Sequence, residues 1–126
     1  MTGLLLVNKA NQVYLLMASS TFEEAIMNEL YTWFSHQHHG LRTFRTFQQK
    51  LENLSTEEPG HRGLYRLLSN LVGRYVEAFD EEPLPRSVAD RAYDRLLELL
   101  GSLDLRANAD RRLADIDRVA ASDLFH

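Results

Sequence analysis

Three of the chain's five histidines, His36, His38 and His39, lie within four consecutive positions of the stretch SHQHHGL. On a helix, His36 and His39 would share one side, because they are three positions apart, and both imidazoles could reach one metal ion. Zinc requires about three or four such ligands, so Glu29 or His61 would have to complete the set. The sequence therefore contains a candidate metal site based on His36 and His39.

The same stretch also has the features of a helix end. Gly40 is placed where a glycine often follows the last helical residue, and histidines in a final turn can donate to free carbonyl groups. Leu41 would supply the apolar contact that accompanies such an ending. Because no HExxH pattern surrounds the histidines, we interpret the cluster as a helix terminus and keep the metal site as an alternative.

Catalytic motifs are absent from the sequence. It contains no GxSxG, no Walker-type glycine loop, no GxGxxG and no paired-carboxylate motif. It also contains no cysteine, which excludes disulfides, thiolate metal sites and cysteine nucleophiles. A histidine could still act as a general base or pH sensor. We expect a protein that is not an enzyme and needs no cofactor, with a histidine-dependent metalloenzyme as an alternative.

Length and composition predict one ordinary globular domain. The 126 residues are 44% hydrophobic and 25% charged, which predicts a single domain over residues 1–126. The apolar run at residues 4–7 is too short for a secretory signal or a membrane span, so we expect a cytoplasmic protein without membrane contact. Twelve of the 14 basic residues are arginine, a bias typical of GC-rich bacterial genomes.

The clearest helix is predicted between about residues 61 and 79, where apolar residues recur every three or four positions. These residues are Leu64, Leu67, Leu68, Leu71, Val72, Tyr75 and Phe79. Arg62, Arg66 and Arg74 lie opposite and could meet the phosphates of a nucleic acid. The competing interpretation is a solvated face on which Arg74 pairs with Glu77. The net charge of −4, spread evenly along the chain, favours the solvated face over a nucleic-acid site.

Further helices follow the two proline-containing breaks. Ser87 and Asp90 form a capping box for a helix that we expect to stop at Gly101. A last helix is predicted from about Asn108. We expect its inward residues to be Leu113, Ile116 and Val119 or Ala120, with an Arg111–Asp115 pair outside. The final residues, including Leu124 and Phe125, either dock on the core or fray.

The N-terminal half is less uniform. Residues 1–17 fit either a helix, which we favour, or a short β-hairpin. Thr21 and Glu24 form a capping box for a helix from residue 22 to about residue 39. A further helix would bury Phe44, Phe47, Leu51 and Leu54. We therefore expect an all-α bundle of five to six helices.

The helix after residue 22 has an unusually broad apolar surface. Met27, Tyr31, Trp33 and Phe34 lie on adjoining faces and are residue types enriched in protein interfaces. The alternative is that all four are internal. We predict a non-catalytic interaction module, such as an adaptor, a regulatory subunit or a small component of an assembly. We expect it to bind a protein partner through these residues or to form oligomers, with a nucleic-acid-associated regulator as the alternative.

Overall fold

The computed structural model describes residues 25–125, and within this range the chain forms five helices and no strand. The helices are α1 (residues 25–35), α2 (Leu41–Glu57), α3 (Arg62–Ala78), α4 (Arg86–Ser102) and α5 (Ala109–Ala121). The predicted mainly helical fold is confirmed for this range. Two predictions fall on residues outside this range: the choice between helix and hairpin for residues 1–17, and the capping box at Thr21 and Glu24. None of the helices described is long and apolar enough to cross a membrane.

Helices α2 and α3 form a hairpin around the short 3-10 turn Pro59–His61. Phe44, Phe47 and Leu51 of α2 are fully buried, as their spacing predicts, which confirms core packing for this stripe. The predicted apolar stripe of α3 is largely buried as well. At Gly73 an added Cβ would lie 2.8 Å from Nε2 of Gln48, so the Gln48 side chain of α2 occupies the space beside this glycine.

An aromatic cluster centred on Phe34 joins α1 to the rest of the core. The Phe34 ring stacks on Tyr93 of α4 at a centroid distance of 4.6 Å and meets Phe47 at 5.0 Å. It also packs edge-on against Phe44 at 5.7 Å. Because Phe34 has no exposed surface, α1 is held on the bundle by a side chain that contacts both α2 and α4.

The C-terminal residues dock on the core and do not fray. Leu124 is buried, and the Phe125 ring lies 5.9 Å from Tyr75 and 6.1 Å from Phe79. Tyr75 is itself fully buried, and its hydroxyl has no hydrogen-bond partner in the described part of the chain. Burial raises the pKa of Tyr75 to about 12, because the phenolate would lose its hydration.

Helix α5 begins where it was predicted to begin, but the side that it buries differs from the predicted side. The Asn108 side chain caps it by accepting a bond from the backbone N–H of Arg111 at 3.0 Å. Leu113, predicted to face inward, is 59% exposed, and Asp115, predicted to lie outside, is 4% exposed. The inward prediction for Leu113 was therefore wrong, and Val119 and the partly buried Ile116 provide the inward contacts.

The buried Asp115 is tolerated because three donors, two of them cationic, reach its carboxylate. Nε of Arg111 lies 3.1 Å away and a terminal nitrogen of Arg118 lies 2.7 Å away. The backbone N–H of Asp104 donates to the other oxygen at 3.1 Å. The predicted Arg111–Asp115 pair is present, with the Arg111 side chain 51% exposed as expected for an outer residue. Its carboxylate is buried, because these donors replace the water around Asp115.

Helix α4 differs from its prediction at both ends. It begins at Arg86 after Pro85 in the N-cap position, without a side-chain cap, so Ser87 and Asp90 do not form the predicted capping box. Proline fixes the extended-to-helical transition through its restricted backbone angle, and no side-chain acceptor is required. The helix continues through Gly101 to Ser102.

Candidate functional site

The last carbonyl groups of α1 are capped by the residues that follow it. Nδ1 of His36 lies 2.7 Å from the carbonyl oxygen of Thr32. The side-chain amide of Gln37 donates to the carbonyl oxygen of Trp33 at 3.1 Å. The prediction that a histidine of the last turn bonds to a free carbonyl is therefore confirmed for His36.

The Phe34 carbonyl receives its second hydrogen bond from another helix. The Tyr93 hydroxyl donates to it at 2.7 Å, in addition to the backbone N–H of Gln37 at 3.2 Å. Burial raises the pKa of Tyr93, and the negative charge of Asp94 and the nearby Tyr31 contribute in the same direction. The neutral phenol is thus favoured, and it is the form that donates to Phe34.

Helix α1 ends before the position predicted for it. Its last helical residue is Ser35, whereas we expected the helix to reach about His39. Gly40 is the N-cap of α2 with φ of −77° and ψ of 164°, so it is not the left-handed glycine of a helix C-terminus. Side-chain and backbone donors already satisfy the α1 carbonyls, and no left-handed residue is needed to turn the chain.

His39 contacts α4. Its Nδ1 lies 2.7 Å from Oδ1 of Asp90, and its ring stacks on Tyr93 with a centroid distance of 3.7 Å. Both members of the pair are partly solvated, at 39% and 49% exposure. A carboxylate that orients an imidazole is a component of many general-base sites. Among residues 25–125, those lining the open depression around this pair include no serine, threonine or cysteine that could serve as a nucleophile.

The residues suggested as metal ligands are distributed over separate parts of the fold. His36 bonds to its own helix and His39 to α4, while His61 is buried and accepts from Arg112 at 3.2 Å. Glu29 lies on an exposed face of α1. No group of three histidine, cysteine, aspartate or glutamate side chains within residues 25–125 is arranged to hold a metal ion.

The predicted arginine row lies on the exposed face of α3. Nε of Arg62 donates to the carbonyl oxygen of Ser55 at 2.9 Å, which ties this arginine to α2. Arg66 and Arg74 form no ion pair within residues 25–125, and the expected pairing of Arg74 with Glu77 is not made there. The row therefore supplies two cations, two helical turns apart, that no described residue neutralises.

The four side chains predicted to bind a partner divide into two pairs. Phe34 and Met27 belong to the core, with 0% and 7% exposure. Trp33 is partly buried, and Tyr31 is 36% exposed. The Tyr31 ring lies over Gly101, where an added Cβ would be 3.4 Å from it. Only Trp33 and Tyr31 are accessible to another molecule.

Trp33 contributes to a groove between α1 and α2, here called the α1–α2 groove. It has a volume of about 390 Å³. Its lining residues are Ile26, Glu29, Leu30, Trp33, Lys50, Asn53, Leu54, Glu57 and Glu58. Trp33 was predicted as a partner-binding residue, but the α2 residues were not, because the groove depends on how two helices pack. The spacing of Lys50, Leu54 and Glu57, one side of α2, was the available signal.

The floor of the groove is apolar and its rim is charged. The Trp33 ring stacks on Phe47 at 6.4 Å, and Nζ of Lys50 lies 4.8 Å from the ring centroid in a cation–π contact. The rim carboxylates of Glu29, Glu57 and Glu58 form no ion pair within the described range. The arrangement can accept apolar side chains beside cationic groups.

No protein-family model, curated protein or solved structure matches this chain.

Proposed function

We propose that this chain is a non-catalytic protein-interaction module and that the α1–α2 groove is its contact surface. The supporting observation is the position of Trp33, partly buried on an apolar floor with Ile26, Leu30 and Leu54. The bordering carboxylates form no ion pair with any residue that the structure describes. Tryptophan is enriched among the residues that carry binding energy, especially in pockets with a polar rim. Such a module would serve as an adaptor, a regulatory subunit or a component of an assembly.

The histidine cluster does not compete with this proposal. His36 and His39 already contact Thr32 and Asp90. These contacts support a structural role for His36 and His39. In contrast, the groove has an accessible aromatic side chain and solvated carboxylates, which are features that binding can use.

A photo-reactive amino acid in the groove tests the proposal. We place it at Asn53, which is exposed and lines the groove, and as a matched control at Asn70, which is exposed on α3. In the native cell, irradiation should link the Asn53 probe, but not the Asn70 probe, to one protein or to a second copy of this chain. The purified partner should then bind the parent chain and lose affinity when Leu54→Glu is introduced.

Two outcomes would overturn the proposal. A cross-link only to residues 1–24 of the same molecule would mean that the chain covers its own groove. Salt-dependent binding to duplex or single-stranded nucleic acid, lost in the Arg66→Ala/Arg74→Ala variant, would replace it with the nucleic-acid alternative. A net charge of −4 argues against that second result.

A further inference from the structure

We infer that the α1–α2 groove accepts a short amphipathic helix whose basic residues cluster in one terminal turn. This inference rests on the proposed function, because it assigns a class of partner to the same surface. It is carried by two observations on the groove, namely the spacing of its apolar residues and the uneven distribution of its charges.

The groove has the length of a helical recognition site. Ile26, Leu30 and Trp33 follow one another on α1 at i, i+4 and i+7, which corresponds to about 10.5 Å along the axis. The facing residues Lys50 and Glu57 mark the same interval on α2. A helix that docks in a groove presents apolar anchors at about the same i, i+3 or i+4, and i+7 positions. The floor therefore matches three anchors of one incoming helix.

The charge is concentrated at one end. Glu57 and Glu58 lie at the C-terminal end of α2, and Glu29 lies on the α1 side of the groove. The last turn of α2 carries no basic residue, so the negative end of its helix dipole adds to these carboxylates. Lys50 lies two turns away, over Trp33, and does not pair with them. Lysine or arginine side chains of a partner would complement this end.

The apolar end provides the anchor site. The Trp33 ring contacts both Phe47 and Lys50 of α2 and remains only partly buried. An apolar side chain that enters here would cover the indole and exclude water from it, which is the usual setting of an interfacial hot spot. Because Trp33 is the only tryptophan of the chain, its fluorescence reports on this end of the groove alone.

The experiment titrates the purified full-length chain with a tryptophan-free helical peptide that carries leucine at i, i+4 and i+7 and lysine in one terminal turn. We expect a saturable change in Trp33 emission. A peptide with glutamate in place of lysine should bind at least about tenfold more weakly, because it places like charges against the rim. The Glu57→Gln/Glu58→Gln variant should bind the lysine peptide about fivefold more weakly than the parent does.

The chain contains a matched control for this variant. Glu81 and Glu82 are likewise adjacent in the sequence, and both are exposed, but they lie between α3 and α4, outside the groove. Glu81→Gln/Glu82→Gln changes the net charge equally and should leave peptide affinity unchanged. Urea unfolding of both variants establishes that each one is folded as the parent is.

The outcomes separate the two proposals. Equal affinity for the lysine and glutamate peptides would overturn the basic character of the partner, although the groove would remain a docking surface. No response to either peptide, together with an Asn53-specific cross-link in cells, would overturn the helical class and retain the interaction function. No response and no cross-link would overturn both.

Discussion

The end of α1 and the α1–α2 groove differ in how their polar groups are paired. At the helix end, the carbonyls of Thr32 and Phe34 are paired, and His39 is engaged by α4. Along the groove, Glu57 and Glu58 form no ion pair within residues 25–125. A buried carbonyl without a donor costs free energy, whereas a solvated carboxylate does not require a partner. Histidines, whose type and spacing suggest chemistry, can therefore be the residues that make contacts within the protein.

The largest effect on stability is expected at Phe34, where the end of α1 reaches the core. Phe34→Ala removes a fully buried ring that contacts Phe47 and Tyr93, and it should lower the free energy of unfolding by about 3–5 kcal/mol. Urea denaturation followed by circular dichroism measures this loss. Leu113→Ala is the control and should change stability by less than about 0.5 kcal/mol, because Leu113 is 59% exposed. Similar losses for both variants would contradict this assignment of the core.

Alkaline pH should lower the free energy of unfolding through the buried Tyr75. An unfolded tyrosine has a pKa of about 10, and in the folded chain the pKa of Tyr75 is about 12. Between these values the unfolded chain loses its phenolic proton while the folded chain keeps it, so the folded state loses stability as pH rises. The contribution of Tyr75 is fully present below about pH 10, and about 2 kcal/mol should be lost by about pH 12.

Unfolding free energies measured across this pH range test the expectation. Tyr75→Phe should flatten the alkaline decline, because phenylalanine does not titrate. A variant with the same decline as the parent would show that Tyr75 does not cause it.

Removal of single hydroxyl groups should have opposite effects in two places. Tyr93→Phe deletes the 2.7 Å hydrogen bond to the Phe34 carbonyl and should destabilise the protein by about 1 kcal/mol at neutral pH. Tyr75→Phe deletes a buried hydroxyl without a partner in the described range, so stability should stay the same or rise by up to about 1 kcal/mol. Thermal unfolding of the two variants and the parent measures the direction of each stability change. Equal destabilisation would contradict the contrast between a hydrogen-bonded Tyr93 hydroxyl and an unpartnered Tyr75 hydroxyl in the described range.

The smallest effect is expected at the partly solvated pair of His39 and Asp90. Their coupling, measured by a double-mutant cycle with His39→Ala and Asp90→Ala, should be below about 1 kcal/mol. A functional metal ligand would behave differently. Stoichiometric metal in untagged protein, lost in the His36→Ala/His39→Ala variant, would contradict the structural role given to this cluster.

The helices and most of their buried faces follow from the sequence because they depend on neighbours three and four positions away. The stripe of α3 and the buried Phe44 and Phe47 of α2 are where their spacing predicts. The errors lie where a distant residue decides the outcome. Asp115 is buried because Asp104 supplies an N–H and two arginines surround it, and a pattern that places every charge outside cannot anticipate this.

The sequence by itself determined the helical class, the core stripes of α2 and α3 and the cap at Asn108, since each is a local property of the chain. Only the tertiary structure decided that Asp90 contacts His39, 51 positions away, and does not cap the start of its own helix α4. It also brought Trp33 beside Lys50 to form the α1–α2 groove. Periodicity specifies which side of a helix is apolar, but the partner of that side is chosen by packing between helices.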